Sequence, residues 1–274
     1  MAKIKVGIAG CLGRMGQELI KQTLNNKNFI FVGGFEHKSH PKIEKKLSDV
    51  TDINSNTTIT SNALSIFKKA NVVIDFTTPQ STLSNVKLAS ATKTALVIGT
   101  TGISNAQKTK IKALSKKTPI LMSSNMSVGV NLLFDLVRQA ASSLHADEYD
   151  IEIAETHHKH KIDAPSGTAL SLGEYAAAGR KTKLDKTKVL DRTKSLKKRK
   201  SGDIGFSVTR GGEIAGEHTV SFISKDDRID LYHKANNRSI FVSGALKAAV
   251  FISKKKTGYF EMKDLLKKLS LIHI

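Results

Sequence analysis

The stretch Lys3-Ile4-Lys5-Val6-Gly7-Ile8-Ala9-Gly10-Cys11-Leu12-Gly13-Arg14-Met15-Gly16 decides how the first half of the chain is read. Ile4, Val6, Ile8 and Ala9 make an apolar run that alternates at its start, which predicts a buried strand ending at Gly10. Beyond the glycines, Leu12, Met15, Leu19, Ile20 and Leu24 recur at helical spacing. Strand, glycine turn and helix in that order form the opening half of a dinucleotide-binding unit. Glycine lets the backbone approach a pyrophosphate, and the helix amino terminus offers unpaired N–H groups and the positive end of its dipole. The spacing is GxxGxxG and not GxGxxG, so the turn alone is a weak signal. A second apolar strand, residues 29–35, strengthens it, because Glu36 follows 20 residues after Gly16, where an acid accepts hydrogen bonds from the adenosine ribose. An acid there repels a 2'-phosphate, whereas His37 and Lys38 offset it. NADH or NADPH therefore stays open at this point, with NADH favoured.

Moving outward, residues 39–62 are polar and read as an irregular connection, and residues 63–70 as a short helix. Strands are expected at 71–79, which ends in a turn, 94–98 and 119–122, separated by helices at 82–91 and 105–116. Strands alternating with helices predict a Rossmann-like, doubly wound parallel α/β sheet, whose ligands bind outside the carboxyl ends of the strands. The loops at those ends are Gly10-Cys11-Leu12-Gly13-Arg14-Met15-Gly16, Gly99-Thr100-Thr101-Gly102 and Ser123-Ser124-Asn125-Met126, and they are expected to line one crevice. A long apolar-periodic helix at 128–144 leaves this domain. A strand at 149–155 and a helix at 169–178 follow, then alternating segments at 206–212, 218–223 and 227–233 that read as antiparallel strands. Helices at 240–252 and 262–269 are expected to return to the first domain. The expected organisation is a discontinuous dinucleotide-binding domain, 1–127 with 238–274, and an α+β substrate-binding and oligomerisation domain, 128–237, with a mostly antiparallel or mixed sheet.

The second domain carries the chemistry-bearing run Glu155-Thr156-His157-His158-Lys159-His160-Lys161-Ile162-Asp163-Ala164-Pro165-Ser166-Gly167-Thr168. Three histidines and two lysines in five positions run into a Pro-Ser-Gly-Thr turn at a helix start. A Lys or His within hydrogen-bond reach of a reacting group can supply it with a proton. Ser166-Gly167-Thr168 offers backbone donors and hydroxyls to a carboxylate, with Pro165 fixing the turn. Adjacent side chains on extended backbone point opposite ways, so His157 and His158 are expected to have different tasks. The histidines could instead ligate a metal, but there is no HExxH and no second cysteine. Arg210, in Arg210-Gly211-Gly212, reads either as a site residue or as a surface charge in a turn.

Composition narrows the class. Apolar residues at 39% and charged residues at 25% are ordinary for a globular protein. One cysteine, Cys11, cannot form an internal disulfide, and it reads as a small side chain under the glycine turn. The first apolar run is too short for a signal peptide and no stretch gives about 18 uninterrupted apolar residues, so a cytoplasmic location and no membrane partner are expected. The net charge of +20 invites a nucleic-acid reading. However, residues 180–200 hold eleven Lys or Arg against two acids, a run expected to be a solvated loop. No helix-turn-helix is evident, so no nucleic-acid partner is expected. Alternatives remain: another Rossmann oxidoreductase of amino-acid metabolism, or a redox-sensing nucleic-acid-binding protein.

Several of these motifs coincide with one family. Gly10-Cys11-Leu12-Gly13-Arg14-Met15-Gly16, Asp75-Phe76-Thr77, Gly99-Thr100-Thr101-Gly102, Ser124-Asn125-Met126-Ser127-Val128-Gly129-Val130-Asn131, the run from Glu155 to Ala169, and Thr209-Arg210-Gly211-Gly212 with Gly216-Glu217-His218 together resemble dihydrodipicolinate reductases. The resemblance extends from residue 3 to about residue 250. It implies NAD(P)H-dependent reduction of a cyclic dicarboxylate to tetrahydrodipicolinate, in diaminopimelate and lysine synthesis, by a homotetramer. It also implies that Gly10, Cys11, Leu12, Gly13, Arg14, Met15, Glu36, Gly99, Thr100, Thr101, Ser123, Ser124, Asn125 and Met126 contact the cofactor. By the same resemblance His157 is the catalytic histidine and Lys161 the proton donor, while His158, Lys161, Gly167 and Thr168 meet the substrate. Two departures, His37 where many members carry Arg and Thr78 in place of another basic residue, bear on NADPH use. The basic run at 180–200 is not a family signature.

Overall fold

The computed structural model describes residues 2–193 and 197–270. In chain order the elements are β1 (Ile4–Ala9), α1 (Arg14–Leu24), β2 (Phe29–Phe35), α2 (Leu47–Val50), α3 (Ala63–Lys69), β3 (Val72–Asp75), α4 (Pro79–Thr92), β4 (Ala95–Ile98), α5 (Asn105–Leu114) and β5 (Pro119–Met122). Then follow α6 (Val128–Ser143), β6 (Asp150–His157), α7 (Gly167–Gly179), α8 (Leu184–Thr187), β7 (Lys188–Val189), β8 (Ile204–Arg210), β9 (Glu217–Ile223) and β10 (Arg228–Lys234). The chain ends with α9 (Ser239–Ile252), β11 (Gly258–Phe260) and α10 (Met262–Ser270). These elements divide into two compact units, Met1–Ser127 with Ser239–Ile274, and Val128–Arg238.

The first unit is a six-stranded parallel sheet in the order β11-β5-β4-β3-β1-β2. Every residue of β3, β4 and β5 is buried, as continuous apolar runs demand when helices cover both faces. Val73, Leu96, Ile98 and Ile120 lie at the centre of that core. The doubly wound reading holds, and three local differences have identifiable causes. Helix α4 begins at Pro79, three residues before the expected start, because the Thr78 hydroxyl accepts from Ser81 N at 3.3 Å and proline fits a first helical turn. The connection 39–62 contains α2 and two bridge pairings, Phe35 with Thr60 and Lys46 with Thr58. Strand β11 adds a sixth strand that three residues are too few to reveal by periodicity.

The second unit packs α6 and α7 on a mixed five-stranded sheet ordered β10-β9-β6-β8-β7. Here the expectation of three consecutive antiparallel strands needs correction. β9 and β10 are antiparallel neighbours, but β6 lies between β8 and β9, parallel to β8 and antiparallel to β9. The link from β8 to β9 must therefore cross the carboxyl end of β6. It is tied there by Gly211 N to His157 O at 3.0 Å, His158 N to Ile214 O at 2.9 Å and Lys159 N to Gly212 O at 3.2 Å.

The basic run is not a simple solvated loop. It includes α8 and β7, and Arg199 reaches Asp150 Oδ1 at 2.6 Å and Glu152 Oε1 at 2.8 Å, where Arg192 joins at 2.6 Å. Residues 194–196 of the run lie outside the described residues. These anchors sit at the amino end of β6, whereas His157 is its last residue.

Candidate active site

In the first unit the site begins at the glycine turn. Gly10 has φ of 66°, the left-handed region that glycine enters without steric cost. A Cβ on Gly16 would lie 2.1 Å from Gly10 O, so α1 can pass this close to the turn only with glycine there. Helix α1 opens on Gly13 with no side-chain cap, which leaves its first N–H groups to another acceptor. Glu36 Oε1 accepts from Leu12 N at 2.7 Å, fixing the acid against the turn. Gly10, Leu12, Gly13, Glu36, His37 and Lys38 line an open cleft of about 730 Å³. An uncapped helix start, a left-handed glycine and an acid pinned beside them fit a nicotinamide dinucleotide.

The other cofactor candidates divide by environment. Cys11 has no exposed surface, and burial, with the charge of Glu36, pushes its thiol up to about 12; it packs under the glycine turn. Thr100 is buried and serves the scaffold. Its hydroxyl accepts from Thr77 N at 3.0 Å and from Thr82 Oγ1 at 2.9 Å. Arg14 and Thr101 are exposed, and Met15 is half-buried. Ser123 N donates to Ile98 O at 3.1 Å and Ser127 N to Asn125 Oδ1 at 2.8 Å, which shapes the turn after β5 around a buried Met126.

Asp75 is the organiser of this end of the sheet, and sequence reasoning gave it no role. It is fully buried; Oδ1 accepts from Thr77 N at 3.0 Å and Thr77 Oγ1 at 2.6 Å, Oδ2 from Asn85 Nδ2 at 2.9 Å, and its carbonyl from Gly99 N at 2.9 Å. A buried acid ending an apolar strand, Val-Val-Ile-Asp, was the available signal.

In the second unit the buried face of β6 reads Ile151, Ile153, Glu155, His157: apolar for two positions, then polar for two. The apolar pair packs on Phe222 and Val220 of β9, and Glu155 faces His218. The carboxyl end of β6 therefore carries a buried polar cluster instead of a core. Glu155 bonds His157 Nδ1, both terminal nitrogens of Arg210 (2.8 and 2.9 Å) and Ser166 N at 2.9 Å. Burial works to raise its pKa, but the hydrogen bonds from His157, Arg210 and Ser166 outweigh it and hold the carboxyl at about 2. The same carboxylate raises the pKa of Arg210. His218 is buried, and desolvation followed by the neighbouring His157 lowers it to about 3.

The loop after β6 carries Lys161, whose ammonium meets Asp163 Oδ1 at 2.7 Å; Lys161 N also donates to His158 O at 3.1 Å. Ser166 does not present its hydroxyl outward as expected. It is buried, caps α7 by accepting from Ala169 N at 3.1 Å, and lies 3.2 Å from His218 Nε2. Gly167 and Thr168 open α7 and are half-buried. The Ala164–Pro165 peptide is cis. Arg210 joins this buried cluster: besides Glu155 it holds Asp163 O at 2.6 Å. Among the described residues no three His, Cys, Asp or Glu side chains converge as a metal-binding group.

Known proteins match this chain along nearly its whole length. The family models described as dihydrodipicolinate reductase, N-terminus and C-terminus, match residues 4–126 and 129–266. A 4-hydroxy-tetrahydrodipicolinate reductase of Polynucleobacter necessarius is 42% identical over 96% of this chain and 98% of its own. One of Parvibaculum lavamentivorans is 44% identical over 97% and 98%. Among solved structures, a dipicolinate-bound dihydrodipicolinate reductase from Paenisporosarcina sp. TG-14 superposes with a TM-score of 0.75, 25% identity and coverage of 94% and 97%. An amine dehydrogenase from Mycobacterium smegmatis, at 8% identity and a TM-score of 0.59, shares the fold.

Proposed function

The chain belongs to the dihydrodipicolinate reductase family, and from that membership we propose that it reduces 4-hydroxy-tetrahydrodipicolinate to tetrahydrodipicolinate in diaminopimelate and lysine synthesis. The observation that carries the reading is the convergence, at the carboxyl end of β6, of His157, the Lys161–Asp163 pair and the opening turn of α7. Proton carriers beside an anion-binding helix start are what reduction of a small dicarboxylate ring needs.

The unit containing β1 to β5 is assigned the nicotinamide cofactor, which supplies the hydride when bound. Gly10 to Gly13 and the α1 amino terminus receive the pyrophosphate, and Glu36 the ribose. In the other unit Lys161 donates the proton that balances the hydride, and the 4-hydroxyl of the substrate leaves as water. Asp163 holds the Lys161 ammonium at 2.7 Å and so fixes its position in the loop. His158, Gly167 and Thr168 bind the substrate, with the N–H groups of α7 facing a carboxylate. Ser166, with its hydroxyl used internally, sets the turn.

The ribose acid favours NADH, and His37 and Lys38 in the same cleft leave room for NADPH. A cytoplasmic location agrees with a lone buried cysteine and with the absence, among the described residues, of any helix long and apolar enough to cross a membrane. A homotetramer is proposed on the face of the second unit's sheet opposite α6 and α7, where Ala154, Ser207 and Tyr232 are exposed; sedimentation measures it. The cofactor assignment is tested by titrating NADH and NADPH in a steady-state assay. Glu36→Ala should raise the KM for NADH about tenfold and leave the substrate KM unchanged, as loss of one charge-assisted contact predicts. Unchanged cofactor affinity would sink the ribose assignment.

A further inference from the structure

Glu155 opens the run of proton carriers, yet the proposed reaction gives it nothing to do. It has no exposed side-chain surface, and both oxygens are fully used. Oε1 accepts from Ser166 N at 2.9 Å and Arg210 Nη2 at 2.8 Å, and Oε2 from Arg210 Nη1 at 2.9 Å and from His157 Nδ1. The four donors come from the ends of β6 and β8 and from the cap of α7. An ion pair serving packing alone would be complete with the two-pronged arginine contact. The remaining bonds go to the two residues that bracket the 158–165 loop.

We propose that Glu155 is a positioning residue for the reduction, one that fixes His157 as the Nδ1–H tautomer and leaves Nε2 as its only lone pair. The inference rests on the assignment of His157 to the reacting site. An ionised carboxylate only accepts hydrogen bonds, so the imidazole nitrogen that meets it carries a proton. In a neutral ring the other nitrogen is then bare. With its carboxyl held at about 2, Glu155 stays ionised under any working condition.

The rest of the cluster holds the ring in that pose. Gly216 has φ of 149°, and a Cβ there would lie 2.9 Å from His157 Nε2, so only glycine leaves that edge of the ring unobstructed. The His218 ring stands edge-on to His157 with centroids 5.1 Å apart. Arg210 carries the constraint onward: it links Glu155 to Asp163 O, and Asp163 holds Lys161. One buried carboxylate thus orients the histidine directly and the lysine through two residues, Arg210 and Asp163. The sequence holds a trace of this arrangement, because Glu155 and His157 are two apart on a strand and so share a face.

The test is a long-range ¹⁵N–¹H correlation spectrum of the imidazole nitrogens, combined with steady-state kinetics. The His157 signals are identified by their loss in His157→Gln. In the unmodified protein the proton should reside on Nδ1; finding it on Nε2 overturns the proposal without any Glu155 variant. Glu155→Gln keeps the shape and adds an amide donor, so it should move the proton toward Nε2. It should also lower kcat about 100-fold, the low end of what a positioned proton-transfer group contributes, while the KM for NADH changes less than about twofold, the scale of a lost remote contact. Normal kcat in Glu155→Gln alongside an impaired His157→Gln would overturn the inference alone. Normal turnover in His157→Gln would overturn the assignment beneath it.

Discussion

His218 illustrates how a single buried side chain sets the limits of this fold. Desolvation and the nearby His157 lower it from 6.5 to about 3, so the folded chain refuses a proton that the unfolded chain accepts across that window. Stability must fall as pH drops from 6.5 toward 3. Glu155, lowered from 4.5 to about 2, adds a second loss that begins only below 4.5. The two are separable by denaturant midpoint as a function of pH. His218→Gln should flatten the curve between 6.5 and 4.5 and leave the steeper acid limb in place. An unchanged slope in the upper window would mean that His218 is protonated in the folded state. Neither residue could be ranked from sequence, because their titration depends on burial and cross-strand partners, which local patterning does not contain.

Elements were more legible than side chains, and the reason is periodicity. Continuous apolar runs identified β3, β4 and β5, and the glycine spacing identified the turn between β1 and α1. What escaped was pairing across sequence distance. β8 and β9 look like hairpin neighbours because both alternate, but alternation does not say that β6 lies between them. That insertion carries the 211–216 link over the end of β6 and makes the site. The basic run misled for a related reason: its arginines find carboxylates at Asp150 and Glu152, more than forty positions away for the Arg199–Glu152 pair. Asp150 and Glu152 lie seven and five residues before His157 on β6, so roughly 23 and 17 Å separate those anchors from it. Changing Lys181, Lys183, Lys186, Lys188, Lys197 and Lys198 to Gln should therefore leave the maximal rate within about twofold, a change too small to signify loss of a transition-state contact. Arg199→Ala should cost about 2 kcal/mol of folding stability, as expected for charge-assisted hydrogen bonds in a partly buried site. A lost rate in the lysine variant would place the run in the active site.

At the scale of the whole molecule, the two units divide the chemistry. One has the glycine turn, the pinned acid and the uncapped helix of a dinucleotide site; the other has the proton carriers and the α7 amino terminus. The family match spans both. The central claim is that Lys161, held by Asp163, supplies the proton in the second. It is tested most directly by following the nicotinamide absorbance with substrate generated in place, for the unmodified protein and for Lys161→Ala. The account predicts NADH consumption that depends on substrate, a kcat reduced by about 100-fold or more in the variant, and NADH binding unchanged in both. Near-normal turnover in Lys161→Ala would contradict it.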